Sequence, residues 1–111
     1  MSGITHSIDV ELLKLAALQA SGLLKTLSNP DRLLLLCQLA QGEHCVADLE
    51  EAIGIRQPTL SQQLTVLREE KLVHTRREGK QIFYSIASKE ALAVMEVLYE
   101  QFCKPGKEGK K

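Results

Sequence analysis

Residues Gly54 to Ile86 read GIRQPTLSQQLTVLREEKLVHTRREGKQIFYSI, and the order of patterns inside this stretch decides the fold. Leu60, Leu64 and Leu67 recur at i, i+4 and i+7, which sets them on one face of a helix. Around that face stand Thr59, Ser61, Gln62, Gln63 and Thr65, and no charge occurs from Gln57 to Leu67. A helix that only faces water carries Glu and Lys; neutral donor-acceptor side chains are the groups that contact base edges and phosphates in a major groove. Two runs rich in Val, Thr, Ile, Phe and Tyr follow at once, Leu72 to Glu78 and Gln81 to Ile86, with Gly79-Lys80 between them as a tight hairpin turn. A reading helix followed by a basic hairpin is a winged helix-turn-helix.

Just upstream, Val46 to Ile53 is a short helix stopped by Gly54, and GIRQ turns into the reading helix, which tolerates Pro58 in its first turn. Before it, Asn29-Pro30 is an N-cap and first helical residue, opening a helix through LLLLC to about Ala40 that Gly42 ends. Ile8 to Leu27, rich in Leu and Ala with Gly22 as its one glycine, is the first helix, broken by Ser28 and Asn29. After the hairpin, Ser88 caps a last helix, Lys89 to Cys103, on which Leu92, Met95, Tyr99 and Phe102 keep helical spacing with Leu98 close by; Pro105 and Gly106 end it. The expected fold is mainly α with a small β-hairpin wing, in the order α-α-α-α-β-β-α. Residues 1–104 form one domain, followed by a disordered basic tail, 105–111, without apolar residues. The first and last helices are more apolar than a small reader needs for its own core, which predicts a homodimer through them. Two-fold pairing presents two reading helices to successive major grooves, so the expected partner is double-stranded DNA with a pseudo-palindromic operator.

At 111 residues the chain has room for a single core. No run approaches the roughly 18 apolar residues of a membrane span, and MSGITHSIDVE carries acids where a signal peptide needs an apolar stretch, so a cytoplasmic protein without a membrane partner is expected. Net charge is zero, from 14 basic and 14 acidic residues, which argues against a non-specific coat on nucleic acid. The charges are unevenly placed: six Lys/Arg against three acids from Arg56 to Gln81, but four acids and no Lys or Arg from Glu43 to Glu51. Gln57, Thr59, Ser61, Gln62 and Gln63 are therefore expected in or beside the major groove, and Arg68 nearer phosphate. Arg76, Arg77 and Lys80 of the wing suit a narrow minor groove and its flanking phosphates. No enzyme is indicated, because His6, His44 and His74 fall in three different elements and no glycine-rich catalytic loop is present. No cofactor is expected.

Cys37, Cys45 and Cys103 are an odd, sparse set, unlike a secreted disulfide framework; each starts as a thiol, and a disulfide would be a signal. Inside LLLLCQL, Cys37 fits a small buried hydrophobe. Cys103 stands at a helix end before a polar tail, where Lys104 and Lys107 favour a thiolate and the helix C-terminal dipole opposes it.

From about Ser21 to Cys103 the chain resembles the ArsR family of bacterial winged-helix repressors, through LLKTLSNPDRLLLLCQL, then GEHCVADLEEAIGIRQPTLSQQLTVLREEKLV, then TRREGKQIFYSI, in the family's order and spacing. Within the family it looks most like the persulfide- and sulfide-responsive branch. The resemblance implies a dimeric repressor, with Cys37 and Cys103 matching that branch's two sensing cysteines; spacing alone does not mark the pair. It further implies reactive sulfur species or oxidants as inducers, a disulfide or polysulfide bridge as product, and sulfide-detoxification genes as targets. The alternative is a metal- or metalloid-responsive member. That branch often writes its third-helix site ELCVCDL; here the segment is EHCVADL, so Cys45 remains, Ala47 replaces the second thiol, and His44 with Cys45 makes a poor closed site. The family's other metal site needs an Asp-x-His and a later His, yet no His follows His74 and no Asp follows Asp48. A winged-helix interaction module without DNA is the third reading, separated from the others by specific binding to DNA upstream of its own operon.

Overall fold

The structure is a computed structural model that describes residues 9–103. The expected helix start at Ile8, the neighbours Lys104 and Lys107 and the tail 105–111 lie outside the described residues. Helix α1 spans Val10–Leu27 and is capped by the Asp9 carboxylate, which accepts from the Glu11 amide at 3.0 Å. Helix α2, Pro30–Leu39, starts as the sequence indicates: Asn29 Oδ1 accepts from the Arg32 amide at 3.0 Å, and Pro30 occupies a position whose missing N–H costs nothing. Strand β1, His44–Cys45, leads directly into helix α3, Val46–Ile53, which Gly54 ends in the left-handed region at φ 73°.

Helix α4, Thr59–Glu69, is the helix expected to read DNA. Its preceding residue, Pro58, offers no side-chain cap, and Gln57 supplies one instead, its Oε1 accepting from the Ser61 amide at 3.1 Å. At the far end the Lys71 and Leu72 amides donate to the Arg68 and Leu67 carbonyls, each at 2.9 Å. Such a paired stop requires a left-handed residue, here Lys71 at φ 63°. Strands β2, Val73–Glu78, and β3, Gln81–Ile86, form the wing hairpin, with Glu78 opposite Gln81 and Gly79 at φ 64° in the turn. Helix α5 is Lys89–Leu98, capped by Ser88 Oγ, which accepts from the Ala91 amide at 3.0 Å.

The core lies where α2 meets α3, α4 and α5, with Leu35, Leu36, Leu49, Leu60, Leu64, Leu67 and Met95 fully buried. The leucines at i, i+4 and i+7 of α4 thus point inward, and each contributes about 1.5–3 kcal/mol by leaving water. Their burial turns the polar side of α4 out to solvent: Ser61, Gln62 and Thr65 are exposed.

Three details differ from the expectation. The wing is a three-stranded antiparallel sheet in the order β1-β3-β2, with His44 opposite Tyr84 and Cys45 opposite Phe83. Two residues are too few to show an alternating pattern, so β1 left no mark in the sequence. The last helix stays α-helical only to Leu98 and ends in a π-helical turn, Tyr99–Cys103. Its inward stripe is Ala91 and Met95, with Val94 and Leu98 half-buried, whereas Tyr99 and Phe102 face solvent, Phe102 at 82% exposure. Helix α1 buries only Thr26 and Leu27 in its last turn and leaves Leu12, Leu13, Leu15 and Leu18 exposed. No helix among the described residues is long and apolar enough to cross a membrane.

Candidate functional site

The DNA-facing candidates divide by what already holds them. Ser61 and Gln62 stand exposed on α4, Thr59 is half-buried at its start, and Arg68 is exposed in its last turn. Gln57 is exposed but uses its amide oxygen to cap the helix. Gln63 is half-buried, and its Oε1 accepts from Arg32 Nη1 at 2.9 Å. Arg32 also donates through Nε to the Thr26 carbonyl at 2.6 Å, so one guanidinium joins the end of α1, the start of α2 and the middle of α4.

On the wing, Arg77 and Lys80 are exposed, and among the described residues neither forms an ion pair. Each of the three side-chain nitrogens of Arg76 has a carboxylate partner. Its Nε and Nη2 donate to the two Glu43 carboxylate oxygens at 2.8 and 2.9 Å, and its Nη1 donates to Glu78 at 2.7 Å. Its guanidinium carbon also lies 4.7 Å from the centre of the Phe83 ring. Hydrogen bonds from Arg76 hold the Glu43 carboxyl below its ordinary range. Arg32, Glu43 and Phe83 were not singled out in the sequence, because the contacts that give them meaning join residues 31 and 33 positions apart.

The cysteines occupy three environments. Cys45 is buried and immediately precedes α3. Cys37 is half-buried, its thiol donating to the Met95 sulfur at 3.8 Å, and Cys103 is exposed at the end of the π-helical turn. Cys37 and Cys103 line one cavity of about 1030 Å³, together with Ala40, Met95, Val97 and Tyr99. Burial raises the Cys37 thiol above its ordinary pKa, and the neighbouring Cys103 raises it further.

A family model described as "Bacterial regulatory protein, arsR family" matches residues 29–75, from the cap of α2 into β2. The chain is 53% identical over 98 residues to the biofilm growth-associated repressor of Agrobacterium fabrum, covering 88% of this chain and 84% of that protein. It belongs to the arsR family of bacterial regulatory proteins. The crystal structure of the repressor BigR from Xylella fastidiosa superposes with a TM-score of 0.80 at 49% identity, covering 87% of this chain and 99% of that one. Reduced HlyU from Vibrio cholerae matches with a TM-score of 0.78 at 38% identity, covering 85% and 98%. This ArsR-family chain is thus a DNA-binding transcriptional repressor, similar in sequence and fold to BigR, and not an enzyme.

Within the family's third-helix segment, Cys45 has His44 beside it, and both imidazole nitrogens are already engaged. Nδ1 lies 2.8 Å from the Gly42 carbonyl and Nε2 lies 3.3 Å from the Gln38 amide nitrogen. That network fits a ring protonated on Nδ1, donating to Gly42 and accepting from Gln38. Among the described residues no group of three or more His, Cys, Asp or Glu side chains is arranged to hold a metal ion.

Proposed function

We propose that this ArsR-family repressor binds a pseudo-palindromic operator as a homodimer while Cys37 and Cys103 are free thiols, and that joining them weakens its hold on DNA. The observation that carries the reading is the shared cavity: two thiols from distant parts of the chain open on one space, one half-buried and one exposed. The solved Vibrio cholerae HlyU relative, described as reduced, is consistent with thiol state being a relevant variable. The exposed leucines of α1, with Tyr99 and Phe102 at the other end of the chain, are the apolar surface a second copy would cover.

Cys103, the accessible thiol, reacts first. Its thiolate attacks the outer sulfur of an organic persulfide RSSH, forming a Cys103 persulfide and releasing RS⁻. The Cys37 thiolate then attacks Cys103 Sγ, breaking its bond to the outer sulfur, closing a disulfide and expelling hydrosulfide. If Cys37 has also become a persulfide, closure leaves a trisulfide and again expels hydrosulfide. With peroxide the intermediate is a sulfenic acid and the leaving group is water. A direct disulfide needs Cα atoms within about 7 Å, and each inserted sulfur relaxes that limit.

The bridge ties α2 to the π-helical turn that follows α5 and so alters the angle between two reading heads that must meet successive grooves together. A loss of about 2.7 kcal/mol lowers affinity roughly a hundredfold. Thr59, Ser61 and Gln62, with Gln57 beside them, face the major groove in this reading, and Arg68, Arg77 and Lys80 meet phosphate. Inducers of this chemistry fit a cytoplasmic repressor of sulfide-detoxification genes. The test is intact-mass and peptide mass spectrometry of the reduced protein after glutathione persulfide or a disulfide oxidant, with DNA binding measured on the same samples. A Cys37–Cys103 link accompanied by weaker binding is expected; unmodified thiols, or a link without any change in binding, would overturn the switch.

A further inference from the structure

Arg76 is expected to reach DNA, and its guanidinium, still half exposed, is already paired with Glu43 and Glu78. The strand order β1-β3-β2 puts β2 and β1 on opposite sides of β3, so Arg76 crosses β3 over the Phe83 ring to meet the carboxylate that precedes β1. A two-pronged guanidinium-carboxylate contact fixes direction as well as distance, and stacking on an aromatic face fixes the plane. Glu78 takes the remaining nitrogen from within β2. The next residue along β2 is Arg77, which carries no such ties, and Lys80 sits in the turn immediately beyond Glu78.

We propose that Glu43 is a positioning residue for DNA binding: through Arg76 and Phe83 it fixes the wing on the body of the protein so that Arg77 and Lys80 meet phosphates together. The inference rests on the DNA-binding reading above. Charge alone makes the opposite prediction, because removing an acid from a DNA-facing surface lowers repulsion and tightens binding. A substitution at Glu43 therefore separates positioning from simple electrostatics by the sign of its effect.

The experiment uses a duplex enriched from a random pool by the native protein, and measures its affinity for E43Q, R76K, R76Q and the E43Q/R76K double variant across a series of salt concentrations. Arg76→Lys keeps the charge but not the fork, so it tests the geometry without emptying the site. Each single variant is expected to bind about fivefold more weakly, with the log-log salt slope shallower by about one because a wing cation has lost its phosphate. The double variant should be no worse than either single, since both break one connection. Equal or tighter binding by E43Q overturns the proposal. So does weaker binding with an unchanged salt slope, or R76K matching the native protein while R76Q fails, which would make Arg76 itself the phosphate contact. If the native protein enriches no duplex, the DNA-binding reading fails first, and that outcome is visible before any variant is made.

Discussion

Two glutamines adjacent in sequence face different tasks. Gln62 is exposed on α4, whereas Gln63 is half-buried with its oxygen committed to Arg32. Gln63→Met keeps similar volume and removes the acceptor; it should cost about 1 kcal/mol of stability and leave sequence preference unchanged, as read by thermal melts and by selection from a random pool. Gln62→Ala should do the reverse, flattening preference at one base step by about 1–3 kcal/mol. Preference lost in the Gln63 variant instead would make Gln63 a reader. The thiols also differ by residue. Cys37 is pushed above the ordinary thiol range by burial and by Cys103, so iodoacetamide should label Cys103 first, with Cys37 following only as pH rises well into the alkaline range. The sign for stability follows from linkage. A folded pKa above the unfolded one favours the protonated fold, so this stabilisation is complete below the unfolded thiol pKa and is lost as pH rises through the raised value. Melting temperature should fall for the native protein, relative to Cys37→Ala, in that alkaline window; parallel curves would sink the assignment.

Local chemistry is what made the elements legible. Asn29, Ser88 and Gly54 stop or start helices through their own side chains or lack of one, and each does so where the sequence reading put it. The α4 leucines were equally plain because burial repeats with the helical period. The remainder depends on partners far along the chain: β1 exists because β3 has an edge to pair, and Gln63 and Arg76 are held by Arg32 and Glu43, which arrive from elsewhere. The stop of α4 shows a local feature that composition concealed. Lys71 takes a left-handed conformation that glycine adopts without steric cost, while its own amide and that of Leu72 close the helix. Lys71→Gly should raise stability by roughly 0.5–1 kcal/mol in urea unfolding, with the slope m unchanged. A loss of stability would mean that the greater freedom of glycine in the unfolded chain outweighs the relieved strain.

For the whole molecule, the proposed bridge makes two demands that pull in opposite directions. It closes a loop running from α2 through α3, α4, the wing and α5, and in the chain-entropy description a loop this long stabilises the fold by roughly 4 kcal/mol, less whatever strain the closure introduces. In the proposed dimer, operator affinity is set by something else, the relative placement of two reading heads across a two-fold interface, and a small rotation there removes contacts without loosening either core. The oxidised protein should therefore melt several degrees higher than the reduced protein and bind the duplex more weakly. Measuring both on one sample distinguishes switching from damage, since an oxidant that merely unfolds the chain lowers melting temperature and affinity together. Cys45 supplies the internal control. Buried at 6% exposure ahead of α3, it should remain a thiol throughout, and Cys45→Ser should keep both shifts. A bridge between Cys37 and Cys45 would close a different loop, and the rise in melting temperature would then disappear in Cys45→Ser while persisting in Cys103→Ser.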